Sequence, residues 1–293
     1  MCRLFGQISP RAESAEDFLV ESEFSLLKQS NFKKDNLQKD GWGIAYFGNK
    51  GEPVVSKSPK PAFKDAKAFE AAARPESKVV IGHIRAASNP RKLPKTRLIN
   101  MDNTQPFIDG RWIFAHNGTL QIPQEVTATL GAYAKKLRSL NDSEVYFQQF
   151  VKHYDKVKDV EKALLACVAQ DWELWKDCQK DHPGKKAPYT GLNTLISDGK
   201  VLYAFCHAAS RGLAECGVCN PSTPWGTMSF TVRGDRVIVA SENADKGSWT
   251  LFQPPELVRA EFKGGRPLVT RTLFDFAPGG LTPKGSPMEA SLS

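Results

Sequence analysis

Short apolar runs of strand length recur along the 293-residue chain, each closed by Gly, Asn, Asp or Pro. This pattern limits the fold more than any single motif. The runs are CRLFGQIS, GWGIAYF, KVVIGHIRAAS, WIFAHNG, TGLNTLISDG, KVLYAFCHA, TMSFTVRG and RVIVASEN. Their β-branched and aromatic content and their length are those of strands. Helical patterns come in blocks between them. Residues 14–29 open with Ser14 and carry Asp17 three positions on, a capping start. A second block begins behind Asn141-Asp142, both good N-cap types. In the third, residues 157–181, Val157, Val160, Leu164, Leu165, Val168, Trp172 and Trp175 recur at spacings near three and four and form one apolar face. Strands outnumber helices and the helices are grouped, which predicts layered sheets flanked by helices. No linker or repeat interrupts residues 1–280, so one domain is expected there. The small, polar, Pro- and Gly-containing stretch LTPKGSPMEASLS, 281–293, reads as a loose tail.

The apolar fraction, 41%, is enough for a full core. No apolar run reaches the roughly 20 residues that span a bilayer. Glu13, Glu16, Asp17, Glu21 and Glu23 stand where a signal peptide would need an apolar stretch, so a cytoplasmic protein without membrane contact is expected. The net charge of +8 raises nucleic acid as a partner. However, Lys and Arg are interleaved with Asp and Glu, and the densest basic stretch, PRKLPKTR at 90–97, has no aromatic side chain to stack on bases. No nucleic-acid partner is expected; the stretch reads as a solvated loop, or as a positive rim over an anionic substrate.

Six cysteines in a chain of this size do not suggest a disulfide scaffold. Cys167 and Cys178 fall in a helical pattern and read as core thiols. Cys206, His207, Cys216 and Cys219 could supply the four ligands of a structural zinc site, but the usual second C-x-x-C is missing. No metal and no cofactor is expected. Neither a phosphate-binding G-x-x-x-x-G-K-[ST] nor a helix-opening G-x-G-x-x-G occurs.

The chemistry-bearing stretches each have a bland reading. Arg85 in GHIRAAS ends a strand, where an arginine is usually surface; its planar fork also clamps carboxylates. Asn117-Gly118 in FAHNGTL reads first as a tight turn, and alternatively as a pair of N–H donors for an oxyanion. Asp142 in NDSE is explained by helix capping. DGWGI offers a turn and nothing reactive. The chain opens Met-Cys, and a small second residue favours removal of the methionine. Cys2 would then carry both a thiol and a free α-amine, groups that titrate near ~8.5 and ~8.

In combination, Met-Cys, DGWGI, GHIRAAS, NTQPF, AHNGTL and NDSE, in that order, resemble the class II glutamine amidotransferases, in particular their small stand-alone subgroup without a synthase domain. NTLISDG and VIVASEN are similar to the downstream strands of that subgroup. The resemblance implies the four-layer αββα sandwich of the N-terminal nucleophile hydrolases, an α+β fold with two mainly antiparallel sheets between helix layers. It further implies Cys2 as nucleophile with its α-amine as base, and Asn117 and Gly118 as oxyanion hole. Arg85, assisted by Ser88, would hold the substrate α-carboxylate, and Asp142 the α-ammonium. Ala86 stands where many members carry Trp, and Gln105 where His is common.

These roles fit glutamine chemically, since it presents one anion, one cation and a neutral γ-amide. His83 and His116 flank the motifs and would allow a Cys–His dyad, but the amine already fills the base's role. Three activities follow. The first is hydrolysis of glutamine or another γ-glutamyl compound. The second is a glutaminase subunit delivering ammonia to a separate partner enzyme. The third is a non-catalytic binding module on the same fold.

Overall fold

The computed structural model describes residues 2–34, 37–209 and 226–290. In chain order the strands are β1 (Arg3–Glu13), β2 (Trp42–Phe47), β3 (Pro53–Ser58), β4 (Ser77–Ile84), β5 (Phe107–Asp109), β6 (Trp112–Leu120), β7 (Tyr189–Ser197) and β8 (Leu202–Cys206). They continue with β9 (Ser229–Arg233), β10 (Arg236–Ala240), β11 (Thr250–Leu251), β12 (Glu256–Lys263), β13 (Arg266–Ala277), β14 (Gly280–Pro283) and β15 (Met288–Glu289). The α-helices are α1 (Leu26–Gln29), α2 (Ala66–Ala73), α3 (Lys95–Leu98), α4 (Pro123–Thr129), α5 (Asp142–Val157) and α6 (Val160–Cys178).

Period-two alternation sorts these residues into layers. In β1, Leu4 and Ile8 face one side and Phe5 the other; in β6, Ile113 and Ala115 oppose Trp112 and Phe114. One sheet runs β11-β9-β10-β1-β4-β2-β3 and the other β14-β13-β12-β8-β7-β6-β5, with antiparallel neighbours throughout. Three apolar cores result. Leu4, Val79, Ile81, Ile113, Ala115, Leu195 and Val258 fill the space between the sheets. Phe5, Trp42, Ile44 and Val80 cover the outer face of the first sheet with Leu26 of α1 and Phe69 of α2. Phe114, Leu192 and Phe205 meet Val145, Phe147, Leu164 and Val168 of α5 and α6 on the outer face of the second. This is the four-layer αββα sandwich that the family resemblance implies.

The helical block at 14–29 is broken. A short π-turn covers Asp17–Glu21, Ser22 turns extended, and α1 restarts behind Ser25, whose hydroxyl caps it. The interruption has a tertiary cause: the Phe24 amide donates to the Ala244 carbonyl at 2.8 Å, a bond that a continuous helix would forbid. The block at 157–181 is divided from α5 by Lys158 in the left-handed region at φ 53°. The stretch expected to be a loose tail is hydrogen-bonded over part of its length, since β14 and β15 both pair with β13. No helix among the described residues is long and apolar enough to cross a membrane.

Candidate active site

The alternation that builds the inter-sheet core also aims the reactive side chains. Cys2 continues the Leu4–Ile8 face of β1, Arg85 the Val79–Ile81 face of β4, and Asn117 the Ile113–Ala115 face of β6. All three are therefore directed into the space between the sheets. β1 and β4 are antiparallel with Arg3 opposite Ile84, which sets Cys2 beside Arg85 and Ala86. The Cys2 thiol makes a long contact to the Ala86 carbonyl at 3.5 Å.

Arg85 is 3% exposed. Its backbone bridges to Gly41 and Asp40, and its guanidinium donates to the Leu98 carbonyl at 2.9 Å. Burial draws its pKa down from the arginine range, while Cys2, Asp40 and Asp142 act to raise it. Burial likewise pushes the Cys2 thiol up, and Arg85 opposes that shift. A thiol kept protonated in this way needs a base at hand.

Asp142 is the first residue of α5, but capping does not explain it. Asn141 caps the helix by accepting from the Ser143 amide. The Asp142 carboxylate instead accepts from the Leu120 amide at 2.8 Å, tying the helix start to the end of β6. Burial raises its pKa to about 6, against the pull of that hydrogen bond, Arg85 and Arg91.

Asn117 and Gly118 lie inside β6 and not in a turn, which removes the bland reading of Asn-Gly. A Cβ on Gly118 would collide with the Gly191 carbonyl of β7, so only glycine permits the strands to approach this closely. The register of β6 on β7 shifts between Gly118 and Leu120, a bulge of the kind that re-aims a strand end. Beside it is a small hollow lined by Asn117, Gly118, Thr190, Gly191, Asn193, Ala208 and Gly226. Asn117 is 5% exposed, yet among the described residues its carboxamide makes no hydrogen bond. Ser88 is half-buried in the loop after Arg85.

Both histidines are occupied elsewhere or neutral. His116 uses its two ring nitrogens on Ser143 Oγ and the Gly191 carbonyl, each at 3.0 Å. Burial lowers its pKa to about 4 and that of His83 to about 3, so neither is charged near neutral pH.

Asp40, Arg3 and Ser241 take positioning roles that the sequence does not signal, and Gln105 takes one at the position where the chain departs from the family's usual His. Asp40 of DGWGI accepts from the Ala87 amide at 2.9 Å and holds the loop that carries Ser88. Arg3 forms a buried ion pair with Glu242 at 2.8 Å and donates to the Cys2 carbonyl at 3.1 Å. Ser241 accepts from the Leu4 amide. Together these fix the first turn of chain from which Cys2 projects. Gln105 donates to the His116 carbonyl and to Ser143, and accepts from the His116 amide, joining β6 to α5. Of the four residues that could ligate zinc by their type, Cys206, His207, Cys216 and Cys219, the last two lie outside the described residues.

A family model described as glutamine amidotransferases class-II matches residues 1–232. Two relatives named γ-glutamyl-hercynylcysteine sulfoxide hydrolase are each 27% identical. That of Mycolicibacterium smegmatis aligns over 84% of this chain and 88% of its own length, and that of Mycobacterium tuberculosis H37Rv over 95% and 99%. Among solved structures, a glutamine aminotransferase class-II domain protein from Silicibacter pomeroyi superposes with a TM-score of 0.60 at 19% identity, over 91% of this chain and 98% of that one. The glutamine phosphoribosylpyrophosphate amidotransferase of B. subtilis superposes with a TM-score of 0.54 at 18% identity, over 91% of this chain and 48% of that one. At these identities the two structures speak to the fold alone.

Proposed function

Since the chain belongs to the class II glutamine amidotransferases, we propose that it hydrolyses the γ-amide bond of a γ-glutamyl compound through a thioester on Cys2. The observation that carries the reading is the burial of a cation, Arg85, and an anion, Asp142, both near enough to act electrostatically on the Cys2 thiol. A glutamyl group offers the complementary α-carboxylate and α-ammonium, as any free α-amino acid does, and its γ-amide is the bond that the family membership assigns to attack by Cys2. Two relatives of nearly the same length carry names of γ-glutamyl hydrolases, which supports hydrolysis over delivery of ammonia to a partner enzyme.

The Cys2 α-amine, freed by removal of Met1, takes the thiol proton as sulfur attacks the γ-carbonyl carbon. The Asn117 carboxamide and the Gly118 amide donate to the oxygen that becomes negative. The ammonium returns its proton to the departing nitrogen, and the amine forms free. The Cys2 α-amine then takes a proton from a water that attacks the thioester carbonyl, and returns it to the departing sulfur, releasing glutamate and restoring the thiol. Ser88 assists Arg85 on the α-carboxylate.

The test is covalent. With glutamine-like diazo-oxo-norleucine, the mature chain should gain one adduct, mapped to Cys2 and suppressed by excess γ-glutamyl substrate. An adduct on another cysteine, or labelling that substrate does not slow, overturns the reading.

A second expectation concerns pH. The amine must be neutral and Asp142 ionised for turnover, so both protonations lower kcat/KM as the pH falls. Asp142 in the free protein takes up its proton near pH 6. The acid limb of kcat/KM should therefore steepen below about pH 6, from roughly tenfold to roughly a hundredfold per unit. Asp142→Asn should be weaker at all pH values and keep the shallower limb. An unchanged steep limb in that variant would assign the second proton elsewhere.

A further inference from the structure

Away from Cys2, three side chains of metal-binding type converge where α6 ends. Cys178 is the last residue of α6, and His182 follows four residues later, past a short 3-10 turn over Gln179–Asp181. Glu125 comes from α4. The Cys178 sulfur, a His182 ring nitrogen and a Glu125 oxygen all lie within 4.8 Å of one another. His182 Nε2 is 2.8 Å from Glu125 Oε1. The other carboxylate oxygen, Glu125 Oε2, is buried and has no hydrogen-bond partner, unusual for a buried oxygen, although the side chain as a whole is 28% exposed. Cys178 is itself 9% exposed. The Trp175 ring lies against the His182 imidazole, centroids 6.0 Å apart, and restricts how that ring can turn.

We propose that Glu125, Cys178 and His182 form a binding site for a zinc-class divalent cation. One thiolate, one imidazole and one carboxylate are the borderline set that zinc takes, and a thiolate is a poor ligand for magnesium or calcium. Three protein ligands leave a fourth position for water. The three donor atoms lie within 4.8 Å of one another, and the hydrogen-bonded His182–Glu125 pair at 2.8 Å must open slightly while the sulfur draws in to reach the edges of a zinc tetrahedron. His182 can make that adjustment because it sits on a turn, partly exposed, beyond the end of the helix. On binding, Cys178 gives up its proton to solvent and the orphaned Glu125 oxygen gains a partner. The sequence reading took Cys178 for a core thiol, because Glu125 lies 53 positions upstream of it and nothing in the spacing joins the two.

The site would act as a staple. α4 leaves the end of β6, the strand of Asn117 and Gly118, and the segment after His182 enters β7, where the Pro188 carbonyl accepts from the Gln121 amide at 2.7 Å. A cation across α4 and the end of α6 would fasten together the two ends of the helical connection from β6 to β7. It is independent of the glutamyl reading, since neither Cys2 nor Arg85 takes part.

The test uses the full chain, stripped with a chelator and titrated with Co²⁺ and then Zn²⁺. Wild type should show a sulfur-to-cobalt charge-transfer band that saturates near one equivalent and is bleached by zinc. The band should be lost in Cys178→Ser and in His182→Gln, the latter a partly exposed position whose change leaves the fold intact. Zinc should raise the urea midpoint of wild type and leave that of His182→Gln unmoved. A wild type without the band, or a band kept in full by both variants and so owed to other cysteines, overturns the site.

Discussion

Cys2→Ala in the mature chain should lose turnover by about 10⁴- to 10⁶-fold, the scale seen when a covalent nucleophile is deleted, while still binding γ-glutamyl substrate. The two halves of this expectation have separate causes. Alanine keeps the free α-amine, and with it the base, so the variant removes the thiol alone. It also leaves Arg85 and Asp142 untouched, and those supply the charge complement of the glutamyl group. Stability should change little, on the order of 1 kcal/mol for one buried sulfur, because the thiol's hydrogen bond to Ala86 is long at 3.5 Å. Thermal unfolding, calorimetric titration with substrate and turnover on the same preparation check all three parts. Turnover within about tenfold of wild type would place the nucleophile elsewhere. A form that retains Met1 should resemble Cys2→Ala in rate, because an amide nitrogen in place of the amine cannot accept the proton.

How much of this could be read before the structure depends on how far apart the partners lie. The length and the β-branched and aromatic content of CRLFGQIS and WIFAHNG are local and mark the strands, which alternation then sorts into the layers that only the family resemblance implies. The same alternation directs Cys2 and Asn117 between the sheets. Asp142 was legible as a helix start, but its partner is the Leu120 amide, 22 residues upstream, and only the packing of α5 on β6 creates that bond. Arg3 and Glu242 are 239 positions apart; an arginine and a glutamate at such a distance carry no signal of pairing. Asp40 was passed over for a related reason. Its role is to accept from the backbone of the Arg85 loop, and any acceptor of the right length would look the same in sequence. The helix expected over 14–29 failed because propensity is a weak prior against a tertiary hydrogen bond, here from Phe24 to Ala244.

Asn117→Ala should lower kcat by about 100- to 1000-fold and leave KM nearly unchanged. A buried amide normally has a partner, and the donors of Asn117 have none among the described residues. The side chain thus adds no internal hydrogen bond to the folded state, and its removal should not loosen β6. Its exposed atoms open onto the hollow shared with Gly118, where a donor could meet an oxygen that is only weakly charged in the bound substrate and fully charged in the tetrahedral adduct. Such a donor contributes in the transition state and little in the ground state, which is why the loss falls on kcat. Asn117→Asp separates this from simple loss of packing. It preserves shape but sets a negative charge against a developing one, so it should be slower still than the alanine variant, with a similar unfolding midpoint. If alanine and aspartate variants instead unfold early and lose substrate binding in parallel, Asn117 is a structural residue of the β6–β7 pair, and the oxyanion must be held by other donors.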